Sequence, residues 1–406
     1  MEVVYERCCG LDIHKASITA CVNIKGKKEI KTFGTMTEDL LQMTAYLKEH
    51  DVQMTAMEST GSYWKPIFNI LEVEGINAIL VNAAHMKAVP GRKTDVKDAE
   101  WIADLLRHGL LKASFVKPRD QRELCELIRY RQSMIEERAR EYNRMGKVLE
   151  GANIKLTTVA SRMDTVSGMN MVRALSEGVV DPELLASMAK GTMRSKQDDL
   201  KRALNGLIKP HQQMILKSML SHIDQLSELI TTLDAEIEVR MSQDVELVDA
   251  LDGITGVGKV SAQTIIAEIG TDMSLFPSAN HLASWACISP GSNESAGKKK
   301  SGKTQKSNST LKKTLVQCGR AAANSKDTYL NAQYRKIAAR RGGKRAAVAV
   351  GHSILVICYH MIKNRTRYND LGADYFQNRN KDAIVRQSVK RLQTLGFTVT
   401  LEEDVA

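Results

Sequence analysis

The stretch Gly10-Leu11-Asp12-Ile13-His14-Lys15 decides the fold, because it sets an acidic side chain inside the first apolar run of the chain. Residues 11–13, 18–24 and 29–33 read as three successive strands with short turns between them, among them Lys25-Gly26-Lys27. Working outward, residues 37–49 read as an amphipathic helix. Residues 52–58 read as a strand that closes on Glu58, in Met54-Thr55-Ala56-Met57-Glu58. A helix at 64–74 and a β-rich strand at 76–82 follow. The front of the chain is therefore α/β, a three-strand meander followed by alternating helix and strand.

That element order is the order of an RNase H-like fold, in which the first and fourth strands are neighbours. Asp12 and Glu58 are then expected to converge. Two further carboxylates, Asp95 and Asp98, lie in Lys93-Thr94-Asp95-Val96-Lys97-Asp98-Ala99 at the start of a helical pattern. Their i, i+3 spacing puts them on one helix face. Carboxylates on two strand ends with a pair on a later helix form a set suited to two Mg²⁺ ions, with Mn²⁺ able to substitute. Such a pair clamps the attacking and leaving oxygens of a phosphodiester. Taken singly, each acid is more often a solvated or capping residue, and Asp95 after Thr94 also suits a helix N-cap. The reading rests on the set.

Composition agrees with a nucleic-acid enzyme. The formal net charge of +11 favours a polyanionic partner, while only 5% aromatic residues argues against a stacking platform for single strands. The seven scattered cysteines, with no C-x-x-C pair, fit a reducing cytosol better than a zinc site. No apolar run is read as reaching the roughly 18 residues of a membrane span.

Four regions are expected: an α/β catalytic domain at 1–117, a helical coiled-coil spacer and oligomerisation region at 118–245, a mostly α-helical domain at 246–377 and a charged tail at 378–406. Pro118 and Asp120-x-x-Glu123 open a long helix, made basic by Arg129, Arg131, Arg138, Arg140, Arg144 and Lys147. Residues 151–208 read as looser. Leu216, Met219, Ile223, Leu226, Ile230, Leu233 and Ile237 then alternate spacings of three and four, which is a coiled-coil seam or a helix packed on its own domain. Gly253-Ile254-Thr255-Gly256-Val257-Gly258 resembles a helix-hairpin-helix turn, where glycines let backbone N–H groups approach a phosphate; a plain glycine turn is the other reading. Lys298, Lys299, Lys300, Lys303 and Lys306 lie in a Gly/Ser-rich basic loop. Arg340, Arg341, Lys344 and Arg345 form a second basic cluster. Both are expected to meet phosphates.

These segments together resemble the DEDD-type insertion-sequence transposases, a family that includes Piv-like invertases and bridge-RNA-guided recombinases. The resemblance rests on the three acidic segments at the front, and on Gly253 to Gly258, Ile288-Ser289-Pro290, Glu294-Ser295-Ala296-Gly297 and Lys344-Arg345-Ala346-Ala347-Val348-Ala349-Val350 at the back. It implies a RuvC-like N-terminal domain, a coiled-coil middle and a C-terminal transposase domain with a nucleophilic serine. Ser295 is the best match, with Ser292 and Ser301 as alternatives, and Ala296 replaces the glycine that usually follows. The resemblance further implies donor and target double-stranded DNA, a noncoding guide RNA, a dimer-of-dimers assembly, and a cytoplasmic protein of a bacterium or archaeon, nucleoid-associated when active. Two rivals use the same residues differently. A RuvC-type hydrolytic endonuclease would attack with water, and a non-catalytic nucleic-acid-binding coiled-coil protein would not need the carboxylates.

Overall fold

The three expected strands pair as a meander: β1 (Arg7–Ile13), β2 (Ile18–Ile24) and β3 (Lys27–Phe33) are successively antiparallel. In the computed structural model, which describes residues 2–59, 61–82, 98–160, 162–291, 293–295, 298–301, 304, 310–379 and 381–401, the chain divides into two units, Met1–Arg119 and Asp120–Ala406.

In the first unit the meander is followed by α1 (Thr37–Glu49), β4 (Met54–Glu58), α2 (Trp64–Val73), β5 (Ala78–Val81) and α3 (Asp98–Arg107). The sheet order is β3-β2-β1-β4-β5, with β4 parallel to both β1 and β5. The first and fourth strands are neighbours, as the element order requires. One sheet face packs on α1 and α2 through Leu11, Met57, Leu40, Met43, Ile67 and Leu71. The other packs on α3 through Cys8, Ala56, Ile102 and Leu106. This mixed five-stranded sheet flanked by helices is compatible with an RNase H-like domain. β1 begins at Arg7 rather than at residue 11, because Cys8 and Cys9 are both fully buried and leave no alternation to read.

Among the described residues the second unit is helical apart from one hairpin and the Pro290–Thr304 bridge. α4 (Arg119–Gly151) leads through α5 (Leu156–Val159), α6 (Val166–Ser176), α7 (Pro182–Ser187) and α8 (Gln197–Leu204) to α9 (Pro210–Arg240). α4 and α9 run antiparallel: Arg240 meets Glu123 at 3.1 Å, Arg131 meets Asp234 at 2.7 Å and Glu141 meets His222 at 3.3 Å. The seam residues Leu216, Ile223, Leu226, Ile230 and Ile237 are buried inside this one chain. The stretch expected to be loose is instead a packed cap, in which Met171, Leu175, Leu185, Leu200 and Leu204 share a core with Leu149 and Leu216. Its glycines, serines and methionines are turns, caps and filler; Thr165 caps α6 by accepting from Gly168 N.

The remainder comprises α10 (Val245–Asp252), α11 (Lys259–Ile269), α12 (Ala279–Trp285), β6 (Asn293–Ser295), β7 (Lys298–Ser301), α13 (Thr310–Ala322), α14 (Tyr329–Arg341), α15 (Gly343–Asn364), α16 (Tyr375–Asn378) and α17 (Lys381–Thr394). α15 is the central helix, packed by α12, α13 and α14. It is 22 residues long and apolar enough to cross a membrane by length and composition, which corrects the reading of the apolar runs. Ala346, Val350, Ile354, Leu355, Cys358 and Ile362 are buried on its neighbours, as in the core helix of a globular domain. Gly256, at φ +84°, has a packing reason to be glycine: a Cβ there would lie 2.5 Å from Cys318 O and 2.6 Å from Ala322 N of α13. That contact favours the plain-turn reading of its segment.

Candidate active site

The carboxylates are positioned by the alternation of β1 and β4. In the parallel register Leu11 pairs with Met57, and both side chains enter the core beneath α1 and α2. Asp12 and Glu58 are the next residues along, so they fall on the opposite face, at the carboxyl ends of their strands. That face is the one α3 covers. Gly10 explains how closely it does so: a Cβ there would collide with the Ala99 carbonyl and lie 2.5 Å from Ala103 N. The Cys8 thiol donates to Ala103 O, and Val4 N donates to Arg107 O at 2.8 Å. α3 therefore runs antiparallel to β1. Its first described residue, Asp98, stands at the same end of the sheet as Asp12 and Glu58.

Asp12 is the best-defined member. Its Oδ2 lies 3.2 Å from His14 Nε2, in a tight turn closed by His14 N donating to Ser17 O at 2.9 Å. The imidazole is mostly exposed, at 68%, whereas Asp12 is 29% exposed. Lys28 binds the far side of α3 through Asp104 at 2.6 Å and Glu100 at 3.7 Å, which locks the helix against the meander. Asp95 lies outside the described residues. Among the described residues no three acidic, histidine or cysteine side chains are close enough to hold a metal ion together. The structure thus brings Asp12, Glu58 and Asp98 to one face and one end, without drawing them into a ligand cluster. The donor set suits a hard divalent cation, since it offers carboxylate oxygens and no thiolate.

The basic positions divide. Lys298, Lys299 and Lys300 form β7, pairing with β6 in a hairpin where a loop was expected; Ser295 is the last residue of β6 and pairs with Lys298. Ser301 ends β7, while Ser292, Lys303 and Lys306 lie outside the described residues. Arg340 and Arg341 end α14, and Lys344 and Arg345 open α15; all four are exposed.

The arginines of α4 are a correction. Arg131, counted in the sequence among the cations that make this helix basic, is 1% exposed and donates to Asp234 and Gln263 at 2.7 Å each. Arg129 makes a bidentate pair with the buried Glu268 at 2.8 and 2.9 Å, and Arg138 donates to Ser227. These cations hold helices together, a role that depends on partners about a hundred residues away and has no local signal.

Residues 9–154 match a family model for DEDD transposases of the IS110 type, described as a transposase. Residues 248–335 match the model of the transposase IS116/IS110/IS902 family. The first match holds Asp12, Glu58, Asp95 and Asp98; the second holds the Gly253–Gly258 turn and the Ser295 hairpin. No curated protein matches the chain. A DEDD front joined to this helical back defines a transposase of insertion sequences, and the chain belongs to the IS110 family of DEDD transposases. It is a DNA transposase, an enzyme of phosphoryl transfer on DNA. Transposases of this class use divalent metal ions.

Proposed function

We propose that the chain cuts and rejoins the ends of an insertion sequence through a 5′-phosphoserine intermediate on Ser295, under the direction of a noncoding RNA encoded by the element. The observation that carries the reading is the placement of Asp12, Glu58 and Asp98 on one face and one end of the sheet, inside the DEDD match. Asp12, Glu58, Asp95 and Asp98 would hold a pair of Mg²⁺ ions, which when bound would supply charge neutralisation at the scissile phosphate.

The chain's own groups do the rest. The Ser295 hydroxyl oxygen bonds to phosphorus as the bond from phosphorus to the 3′ oxygen breaks. The hydroxyl proton passes to that departing oxygen, leaving a free 3′-hydroxyl and a serine-linked 5′ phosphate. A 3′-hydroxyl from the partner DNA end then attacks the same phosphorus, Ser295 leaves and recovers its proton, and the strands are exchanged. One phosphoester replaces another at each step, so no nucleotide cofactor is consumed. The scheme requires the carboxylate domain and the Ser295 domain to meet on DNA, within one protomer or between two of a tetramer. Base pairing with the RNA would choose donor and target, while Lys298 to Lys300, Lys303, Lys306 and the Arg340–Arg345 cluster hold backbone phosphates. A protein working in this way acts in the cytoplasm, on nucleoid DNA.

The test incubates purified protein with Mg²⁺, the RNA flanking the element and end-labelled junction DNA, and seeks a protein–DNA adduct on a denaturing gel. The adduct should appear with the wild type and vanish in Ser295→Ala and Asp98→Ala, both of which still bind nucleic acid. Cutting without an adduct in both wild type and Ser295→Ala would replace serine by water and turn the protein into a hydrolytic nuclease.

A further inference from the structure

Where Pro290 pairs with Thr304 lies a cleft of about 1040 Å³, walled by α14 and α15. Three features of it converge. Its walls are apolar, with Ile288, Ile337, Val348 and Ala349 among the lining, and none of the described lining residues is acidic. Its rim carries Arg341, Lys344 and Arg345. Lys344 and Arg345 stand in the first turn of α15, which has no acidic residue to balance them. The backbone dipole there is already positive, so two cations at that end oppose stability unless an anion sits with them.

The third feature is inside. Gln333 Nε2 donates to Ser353 Oγ at 2.9 Å, and Ser353 Oγ donates in turn to Ala349 O at 3.3 Å. In this arrangement the serine proton goes to Ala349 O and the amide nitrogen faces the serine. That leaves Gln333 Oε1 buried with no hydrogen-bond partner among the described residues. A buried carbonyl without a donor is costly, and a ligand that supplies the donor removes the cost. His352 also lines the cleft, its imidazole pushed below the ordinary value by burial.

We infer that this cleft takes one unpaired nucleotide, its phosphate on Arg341, Lys344 and Arg345 and its base between Ile337 and Val348, with an exocyclic amine donating to Gln333 Oε1. The cleft has ample room for such a ligand, and the mix of apolar walls with few polar groups is that of a small-molecule pocket rather than of a groove for duplex. Phosphate contacts fix position and the single carbonyl reads the base, so amino-bearing bases are favoured. The inference deepens the strand-exchange reading and rests on it: a strand opened beside the Ser295 hairpin needs a place to hold an unstacked nucleotide.

The test measures binding of fluorescein-labelled single-stranded oligo(dA) to the full-length wild-type protein by anisotropy. The comparison strand replaces adenosine by purine deoxyriboside, which lacks the amine. Oligo(dA) should bind about fivefold more tightly, the size of one satisfied buried carbonyl. Gln333→Leu should abolish that difference while leaving the purine strand's affinity as it was. Val348→Trp, which fills the cleft without altering charge, should weaken both single strands about tenfold and leave duplex binding unchanged. An oligo(rA) arm assigns the strand: equal or tighter binding places RNA in the cleft, weaker binding places DNA there. Equal affinity for the two purine strands, or a preference that survives Gln333→Leu, overturns the inference. If Val348→Trp does not fold, photocrosslinking of wild type to 5-iodocytidine DNA decides: adducts should map to peptides of α14 and α15, and adducts only elsewhere overturn it. The serine adduct assay on Gln333→Leu separates the two readings. Lost base preference with an intact adduct concerns the cleft alone, and an intact cleft with no wild-type adduct sinks the serine alone.

Discussion

Replacing Gly10 by alanine should disturb the active site through the fold. The new methyl would sit on the Ala99 carbonyl and 2.5 Å from Ala103 N, both backbone atoms of α3. Neither can rotate away, so the helix must retreat by about 1 Å to restore ordinary contact, and a gap of that size forfeits a quarter to a half of each contact well along the interface. That interface is the satellite core of Cys8, Ala56, Val81, Ile102 and Leu106. Overpacking of this kind costs about 1–3 kcal/mol, which lowers the folded-to-unfolded ratio of the first unit by between about 5-fold and about 160-fold. The measurement is urea denaturation followed by circular dichroism, alongside the adduct assay. The midpoint should fall, and adduct formation should drop further than the remaining folded fraction explains, because Asp98 moves with α3. An unchanged midpoint would refute the close packing of α3 on β1. An unchanged yield of adduct from a destabilised protein would refute the claim that α3 sets the position of Asp98.

Other perturbations have opposite or separable signs. Gly146→Ala, inside α4, meets only the terminal methyl of Met163 at 3.4 Å and should raise stability by about 0.5–1 kcal/mol in the same denaturation experiment. Arg129→Met leaves the Glu268 carboxylate, 5% exposed, without its guanidinium and should cost about 3 kcal/mol, while adding Glu268→Met should recover much of it in a double-mutant cycle. Burial holds the His352 imidazole below its ordinary value, so the unfolded chain binds a proton there more readily than the folded one. Stability should therefore fall as pH drops through about 6.5 and level off below the depressed folded value, and His352→Gln should flatten that part of a denaturation-versus-pH curve.

The front of the chain was legible because its physics is local. Three short strands and tight turns form a meander, and the next strand then falls beside β1, so the placement of Asp12 and Glu58 at one end of neighbouring strands followed from element order. Asp98 followed from a helical pattern, although the tightness of its helix against β1 depends on Gly10, whose significance appears only once Ala99 and Ala103 are set against it. The later parts were harder for definite reasons. Arg131 and Arg129 look like solvent cations until Asp234, Gln263 and Glu268 come from distant helices to meet them. Lys298, Lys299 and Lys300 carry no apolar alternation, so a paired strand reads as a loop. The cleft had no signature at all: Gln333, Val348 and His352 sit in ordinary helical sequence, and only the packing of α14 on α15 leaves a carbonyl without a donor.

The most direct test of the account is to trim the protein–DNA adduct with nuclease and locate the nucleotide by mass spectrometry of its peptides. A nucleotide on Ser295, linked through its 5′ phosphate, is the result expected. DNA cut to a free 5′ phosphate with no modified peptide, or a nucleotide linked to another residue, would contradict it.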